Sequence, residues 1–202
     1  HRIILAIGAA WWLVACGLVV RYPKQVSLWQ AKPIRAVLGL LVLIPMWVGF
    51  MTLKSQPYSA LIIVYVMLLI WGADTGAYFA GKTWGNAKLA PNVSPGKSWA
   101  GFWGGLATTG LIAVIFSLCV HQWLRPMTLS DFALLAVMTF ITAIISVMGD
   151  LVESMMKRHR GIKDSSQLLP GHGGVLDRID SMASAVPVFA FFMLLFGWQL
   201  AA

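Results

Sequence analysis

Six stretches of this 202-residue chain are nearly free of charge over the length that a helix needs to cross a bilayer. About 20 apolar residues, rising 1.5 Å each, span a hydrocarbon core of ~30 Å. The stretches are 3–20, 36–53, 55–81, 98–120, 132–149 and 181–202, the fifth continuing as helix to about 158. Asp74 interrupts the third, and Pro45 and Pro187 lie inside the second and sixth. Lipid offers backbone groups no hydrogen bonds, so a helix is the form such segments take, and prolines within them are tolerated. The expected fold is therefore all-α: a polytopic integral membrane protein of about six helices, with 1–202 as a single transmembrane domain. With 59% hydrophobic and 11% charged residues, the chain is neither an ordinary soluble domain nor disordered.

The charges follow the same plan. Twelve of the fifteen Lys and Arg lie in the loops between spans one and two, three and four, and five and six. Alternating spans place those three loops on one face, and the positive-inside rule makes it cytoplasmic. The net charge of +8 thus reflects loop bias and contact with anionic headgroups or phosphates, with no nucleic-acid partner implied. The chain starts at His1 and runs straight into an apolar stretch, so an N-terminal part is expected to precede it; a cleaved signal peptide is the weaker alternative. Cys16 and Cys119 sit in apolar runs and read as buried thiols. Trp11, Trp12, Trp99, Trp103 and Trp123 read as interfacial anchors. The pairs Gly72/Gly76 and Gly101/Gly105 permit close helix approach, within a subunit or across a dimer.

Six of the seven acids, Asp74, Asp150, Glu153, Asp164, Asp177 and Asp180, gather at the cytoplasmic ends of spans three, five and six or in the loop joining five to six. A carboxylate at membrane depth costs several kcal/mol unless paired or ligated. Asp150, Glu153, Ser154 and Lys157 share one helix face, and Asp177, Asp180, Ser181 and Ser184 repeat that spacing at the start of span six. Two helix ends then present carboxylates at one membrane surface, which suits a hard divalent cation such as Mg²⁺ whose remaining positions go to water and substrate phosphates. A salt-bridge staple between the helices is the alternative.

The loop between the stripes carries Lys157, Arg158, Arg160 and Lys163, cations suited to phosphate. A glycine-rich turn follows, with His172, Gly173 and Gly174. Its backbone N–H groups suit an anion, although a plain bend has the same composition, and His172 suits proton transfer or phosphate donation. Before span four, Ser94, Lys97 and Ser98 form a second basic segment. Ser98 is placed to cap the helix, which puts Lys97 beside a positive helix end. The segment is no P-loop: the GxxxxGK[ST] spacing fails, and it reads as loop with no strand before the helix.

The stretch SMMKRHRGIKDSSQLLPGHGGVLDRID over 154–180 resembles the signature of the phosphatidate cytidylyltransferases, or CDP-diacylglycerol synthases. WGADTGAY over 71–78 and KLAPNVSPGK over 88–97 are similar to bacterial members. The resemblance runs from about span two to the C-terminus. It implies transfer of CMP from CTP to phosphatidic acid, Mg²⁺ dependence with a monovalent cation such as K⁺ sharing the site, a homodimer among membrane lipids, and a place in the bacterial cytoplasmic (inner) membrane. By carry-over, Asp150, Asp177 and Asp180 would hold the metal. Lys157, Lys163, Arg178 and the Ser94/Lys97/Ser98 segment would contact phosphates, joined by Arg158, Asp164, His172, Gly173 and Gly174, and Asp74 would line the cavity. The competing readings are a cytidylyltransferase for another lipid phosphate and an ion-coupled transporter. A transporter's acids should lie near span centres.

Overall fold

The computed structural model describes residues 1–171 and 173–200. Its helices are α1 (Arg2–Arg21), α2 (Lys32–Lys54), α3 (Ser59–Trp84), α4 (Trp99–Trp123), α5 (Leu129–His159) and α6 (Leu176–Phe196). All six are long and apolar enough to cross a membrane. At 31 residues, α5 is about 46 Å long, so one end stands clear of a ~30 Å core. The sixth helix differs from the expected 181–202. It begins at Leu176 and stops at Phe196, where Gly197 takes a left-handed conformation with φ 62°. Asp177 falls in its first turn, where a negative charge complements the helix dipole.

Each helix start has a local cause. Ser98 Oγ accepts from the Gly101 N–H at 3.1 Å and caps α4, as its position predicts. Thr128 and Asp131 form a capping box at α5. Asp131, the seventh acid of the chain, also accepts from both terminal nitrogens of Arg125 at 2.9 and 3.0 Å. The segment expected as loop before α4 is instead an antiparallel hairpin, β1 (Lys88–Ala90) and β2 (Ser94–Ser98). Residues 91–93 turn the chain, and pairing Lys88 with Ser98 satisfies backbone groups beside the membrane face.

Small residues set the helix contacts. α3 lies closest on α4, and a Cβ at Gly101 would stand 2.9 Å from the Ala77 carbonyl oxygen, one at Gly105 2.8 Å from that of Ala73. A Cβ at Gly76 would meet Gly104 O at 2.6 Å. Both glycine pairs are thus spent inside the subunit. α6 is the central helix, touching α1, α2, α3 and α5. It crosses α5 at Gly149, where Ser184 Oγ donates to the Ile145 carbonyl at 2.8 Å. Trp12 is 1% exposed and Trp11 8%, so these two pack in the core rather than anchoring at an interface, whereas Trp99, Trp103 and Trp123 are exposed. Both cysteines are free and half-buried, not fully enclosed as expected, because α1 and α4 keep outward faces at those positions.

Candidate active site

A cavity of about 370 Å³ opens between α3, α4, α5 and the hairpin, at the end of the bundle that carries the basic loops. Ala73, Ala77, Gly81, Gly101 and Gly105 line its walls, so the residues that let α3 and α4 approach also leave room above the crossing. Four charged residues line it from three elements: Asp74 and Lys82 from α3, Lys97 from β2 and Asp150 from α5. Lys97 Nζ lies 2.7 Å from Asp150 Oδ2, and Ser154 Oγ donates to Asp150 Oδ1 at 3.1 Å, the i to i+4 contact that the stripe predicts. Asp74 is within electrostatic reach of Lys97, Asp150 and Asp180. Asp180, from α6, is within electrostatic reach of Asp150, Glu153 and Lys97.

A second knot lies beside the first. Lys157 Nζ bridges Glu153 Oε2 at 2.8 Å and Asp177 Oδ1 at 2.6 Å. The other oxygen of Asp177 accepts from the Ser165 N–H at 2.9 Å, the Ser165 hydroxyl at 2.7 Å and the Gly174 N–H at 2.7 Å. Asp177 is therefore a tether. It gathers both ends of the α5–α6 loop onto the start of α6, and its side chain is only 6% exposed. The glycine-rich turn does bind an anion through its backbone, but the anion is the protein's own carboxylate. Gly173 takes φ 78°, and a Cβ at Gly174 would collide with Ser165 Oγ, so the turn needs both glycines.

The residues singled out from sequence separate accordingly. Asp74, Lys97, Ser98 and Asp150 line the cavity, and Asp180 adjoins it. Ser94 pairs with Ala90 in the hairpin, outside the cavity wall. Arg158 Nε donates to the Val93 carbonyl at 3.3 Å, fastening the hairpin turn to α5. Lys163, Asp164 and Arg178 are exposed on the loop and the first turn of α6. His172 lies outside the described residues. In this structure Asp177 is engaged by Lys157, Ser165 and Gly174, and among the described residues no group of three His, Cys, Asp or Glu side chains is arranged to hold a metal ion. Its oxygens are saturated by four donors. Glu153 was visible in the stripe but was not placed in the site. Ser165, a chief partner of Asp177, lies inside the 154–180 stretch but was not singled out there, because nothing in its spacing ties it to Asp177.

The donor set still suits a hard cation. Asp74, Asp150, Glu153, Asp177 and Asp180 are five carboxylates, against which the described residues set the ion-paired Lys97 and Lys157, with Lys82 on the cavity wall and Arg35 on the far side of Glu153 and Asp180. Such an excess of carboxylates at a partly buried site is costly without further positive charge. Asp150 and Asp180, on two helices and within electrostatic reach of each other, match in number the one or two protein carboxylates that Mg²⁺ ordinarily takes when phosphates and water complete its shell.

A bundle of apolar helices with an oxygen-rich, lysine-bearing cavity at its basic end defines a polytopic membrane protein that handles anions where bilayer and water meet. A family model described as "Cytidylyltransferase family" matches residues 1–196. This chain belongs to that family. It is 48% identical over 195 residues to the phosphatidate cytidylyltransferase of Pseudomonas aeruginosa, covering 96% of this chain and 70% of the relative. It is 47% identical over 201 residues to that of Haemophilus influenzae, covering 95% and 69%. It is 38% identical over 164 residues to that of Bacillus subtilis, covering 78% and 59%.

Proposed function

We propose that this chain transfers CMP from CTP to phosphatidic acid, giving CDP-diacylglycerol and pyrophosphate for phospholipid biosynthesis. The observation that carries the reading is the meeting of Asp74, Lys97, Asp150 and Asp180 from four elements at the basic end of the bundle, in a chain whose relatives bear this activity's name.

The chemistry asks for little from the protein beyond position and charge. The lipid phosphate is already an anion at neutral pH and attacks the α-phosphorus of CTP without a strong base. The barrier lies in bringing two polyanions together and in stabilising the charge that moves to the leaving pyrophosphate. Lys97 stands at the N-terminal end of α4, where the capped helix adds its own positive potential, so phosphate oxygens are favoured there. Asp150 holds the Lys97 ammonium in place and, with Asp180, would hold Mg²⁺; K⁺ is a candidate second cation for the same carboxylates. Bound there, magnesium supplies charge neutralisation between phosphate oxygens and favours departure of pyrophosphate. Lys157 is committed to Glu153 and Asp177, so its part is to keep the two helix ends in register. No nucleophilic side chain is required, and transfer is direct and in line, with inversion at the α-phosphorus.

The basic loops face the cytoplasm in this reading, and the membrane is the bacterial inner membrane, so that CTP arrives from water and the lipid from the bilayer. The homodimer implied by the resemblance uses surfaces other than the two glycine pairs, which pack within the subunit. The test is turnover of labelled CTP by the whole protein in detergent micelles. Pyrophosphate release should require both phosphatidic acid and Mg²⁺. Turnover with a different lipid phosphate and none with phosphatidic acid would reassign the acceptor, and a cytidylylated enzyme trapped without lipid would overturn direct transfer.

A further inference from the structure

One lysine of the polar cavity has no anion to hold. Along α3, Asp74, Tyr78 and Lys82 stand at i, i+4 and i+8, so they form one stripe, and all three line the cavity. Lys82 sits in the last turn of α3, at the end of the bundle that carries the basic loops, ~12 Å along the helix axis from Asp74. Lys82 thus stands at the mouth, whereas Leu106, Ala143 and Val147, further into α4 and α5, form the deep, apolar end.

The two lysines of the cavity differ. Lys97 is held by Asp150 at 2.7 Å, so its charge is already answered. Lys82 has no ion pair or hydrogen bond among the described residues. Its Nζ stands 5.8 Å from the centroid of the Tyr78 ring, within cation–π range. The ring sets where the ammonium rests without neutralising it.

We infer that Lys82 binds the β- and γ-phosphates of CTP, the pair that leaves as pyrophosphate, and that Tyr78 is its positioning residue. The inference rests on the function proposed above and names which part of the nucleotide meets this wall. In an in-line transfer the attacking and leaving oxygens stand on opposite sides of the α-phosphorus. The lipid phosphate comes from the bilayer, on the side of the apolar deep end, so the bond that breaks points toward the mouth. As the lipid oxygen bonds to the α-phosphorus, the electron pair of the α–β bridge departs onto pyrophosphate, and negative charge grows beside Lys82. An ammonium on a flexible stem is a compact point charge, suited to a group that must then move out to water. Lys82 also complements the negative end of the α3 dipole, but that duty needs only a charge in the last turn and no cavity.

The reverse reaction separates the two ends of the nucleotide, because pyrophosphate and CDP-diacylglycerol then bind as different molecules. In detergent micelles with Mg²⁺, Lys82→Met should raise the KM for pyrophosphate about tenfold and leave the KM for CDP-diacylglycerol within about twofold. Lys82→Arg should bring the pyrophosphate KM back to within about threefold of the parent protein. Tyr78→Ala should raise that KM about threefold and Tyr78→Phe should leave it unchanged, since the ring and not the hydroxyl holds the ammonium. A raised KM for the lipid with an unchanged KM for pyrophosphate would move Lys82 to the lipid phosphate and overturn the assignment. A lower melting temperature as the sole effect of Lys82→Met would reduce the residue to its dipole duty. Calorimetric titration of pyrophosphate and Mg²⁺ into the detergent-solubilised protein needs no turnover. A parent protein that binds pyrophosphate about ten times more tightly than Lys82→Met, yet makes no CDP-diacylglycerol, would sink the proposed function and keep this site. Equal binding by both proteins, or binding by neither, would sink the site.

Discussion

Two aspartates three residues apart on α6, Asp177 and Asp180, look equivalent in a sequence and have different duties in the fold. Asp177 has four donors on its two oxygens, whereas Asp180 is within electrostatic reach of other carboxylates. Asp177→Asn should therefore act through structure. It turns an amide N–H₂ donor either toward the Lys157 ammonium or toward the Ser165 and Gly174 donors, a loss of about 3 kcal/mol. Limited proteolysis should cut residues 160–175 faster, while the Mg²⁺ concentration for half-maximal turnover of the remaining activity stays put. Asp150→Asn and Asp180→Asn should instead lower kcat by about a hundredfold or more and shift that Mg²⁺ requirement upward. A shifted Mg²⁺ requirement in Asp177→Asn, with the loop still protected, would return Asp177 to the metal site. Lys97→Met removes a charge-assisted contact worth about 2 kcal/mol, so the KM for CTP should rise roughly thirtyfold in steady-state assays.

At the level of elements, the site depends on how near α3 can come to α4. Gly105→Val would drive a branched side chain against the Ala73 carbonyl oxygen, 2.8 Å from even a Cβ. Overpacking of this kind costs about 1–3 kcal/mol. It also moves Asp74 and the cavity floor, so activity should fall with the melting temperature in detergent. Ser98→Ala removes the α4 cap, about 1 kcal/mol, and should lower the melting temperature in detergent by a few degrees. The glycine pairs were visible in the sequence, but their partner was not. Spacing shows that a helix can be approached closely, and only packing shows that Gly101 meets Ala77 and Gly105 meets Ala73. The hairpin escaped for a related reason. Its strands are three and five residues long, contain Pro95 and Gly96, and carry no alternation of apolar and polar residues.

For the molecule as a whole, the distribution of charge sets a testable orientation. In a variant lacking Cys16 and Cys119, a membrane-impermeant maleimide should label Lys163→Cys only from the cytoplasmic side and Ser130→Cys only from the opposite side. Labelling of both from one side would sink the six-span topology. That topology was legible because lipid imposes a single demand, internal satisfaction of backbone groups, which long uncharged runs meet only as helices. The phosphate-handling end was legible because charge is so costly in this setting that its positions stand out. Chain order alone thus determined the spans, their alternation and the face where acids and bases collect. The three-dimensional packing decided which of them meet: Lys97 across from Asp150, Asp177 drawn off to hold its own loop, and Trp11 and Trp12 taken inward. Those outcomes depend on contacts between segments dozens of residues apart, where a missing Cβ at Gly149 or Gly105 sets the distance. Local periodicity has no record of such distances.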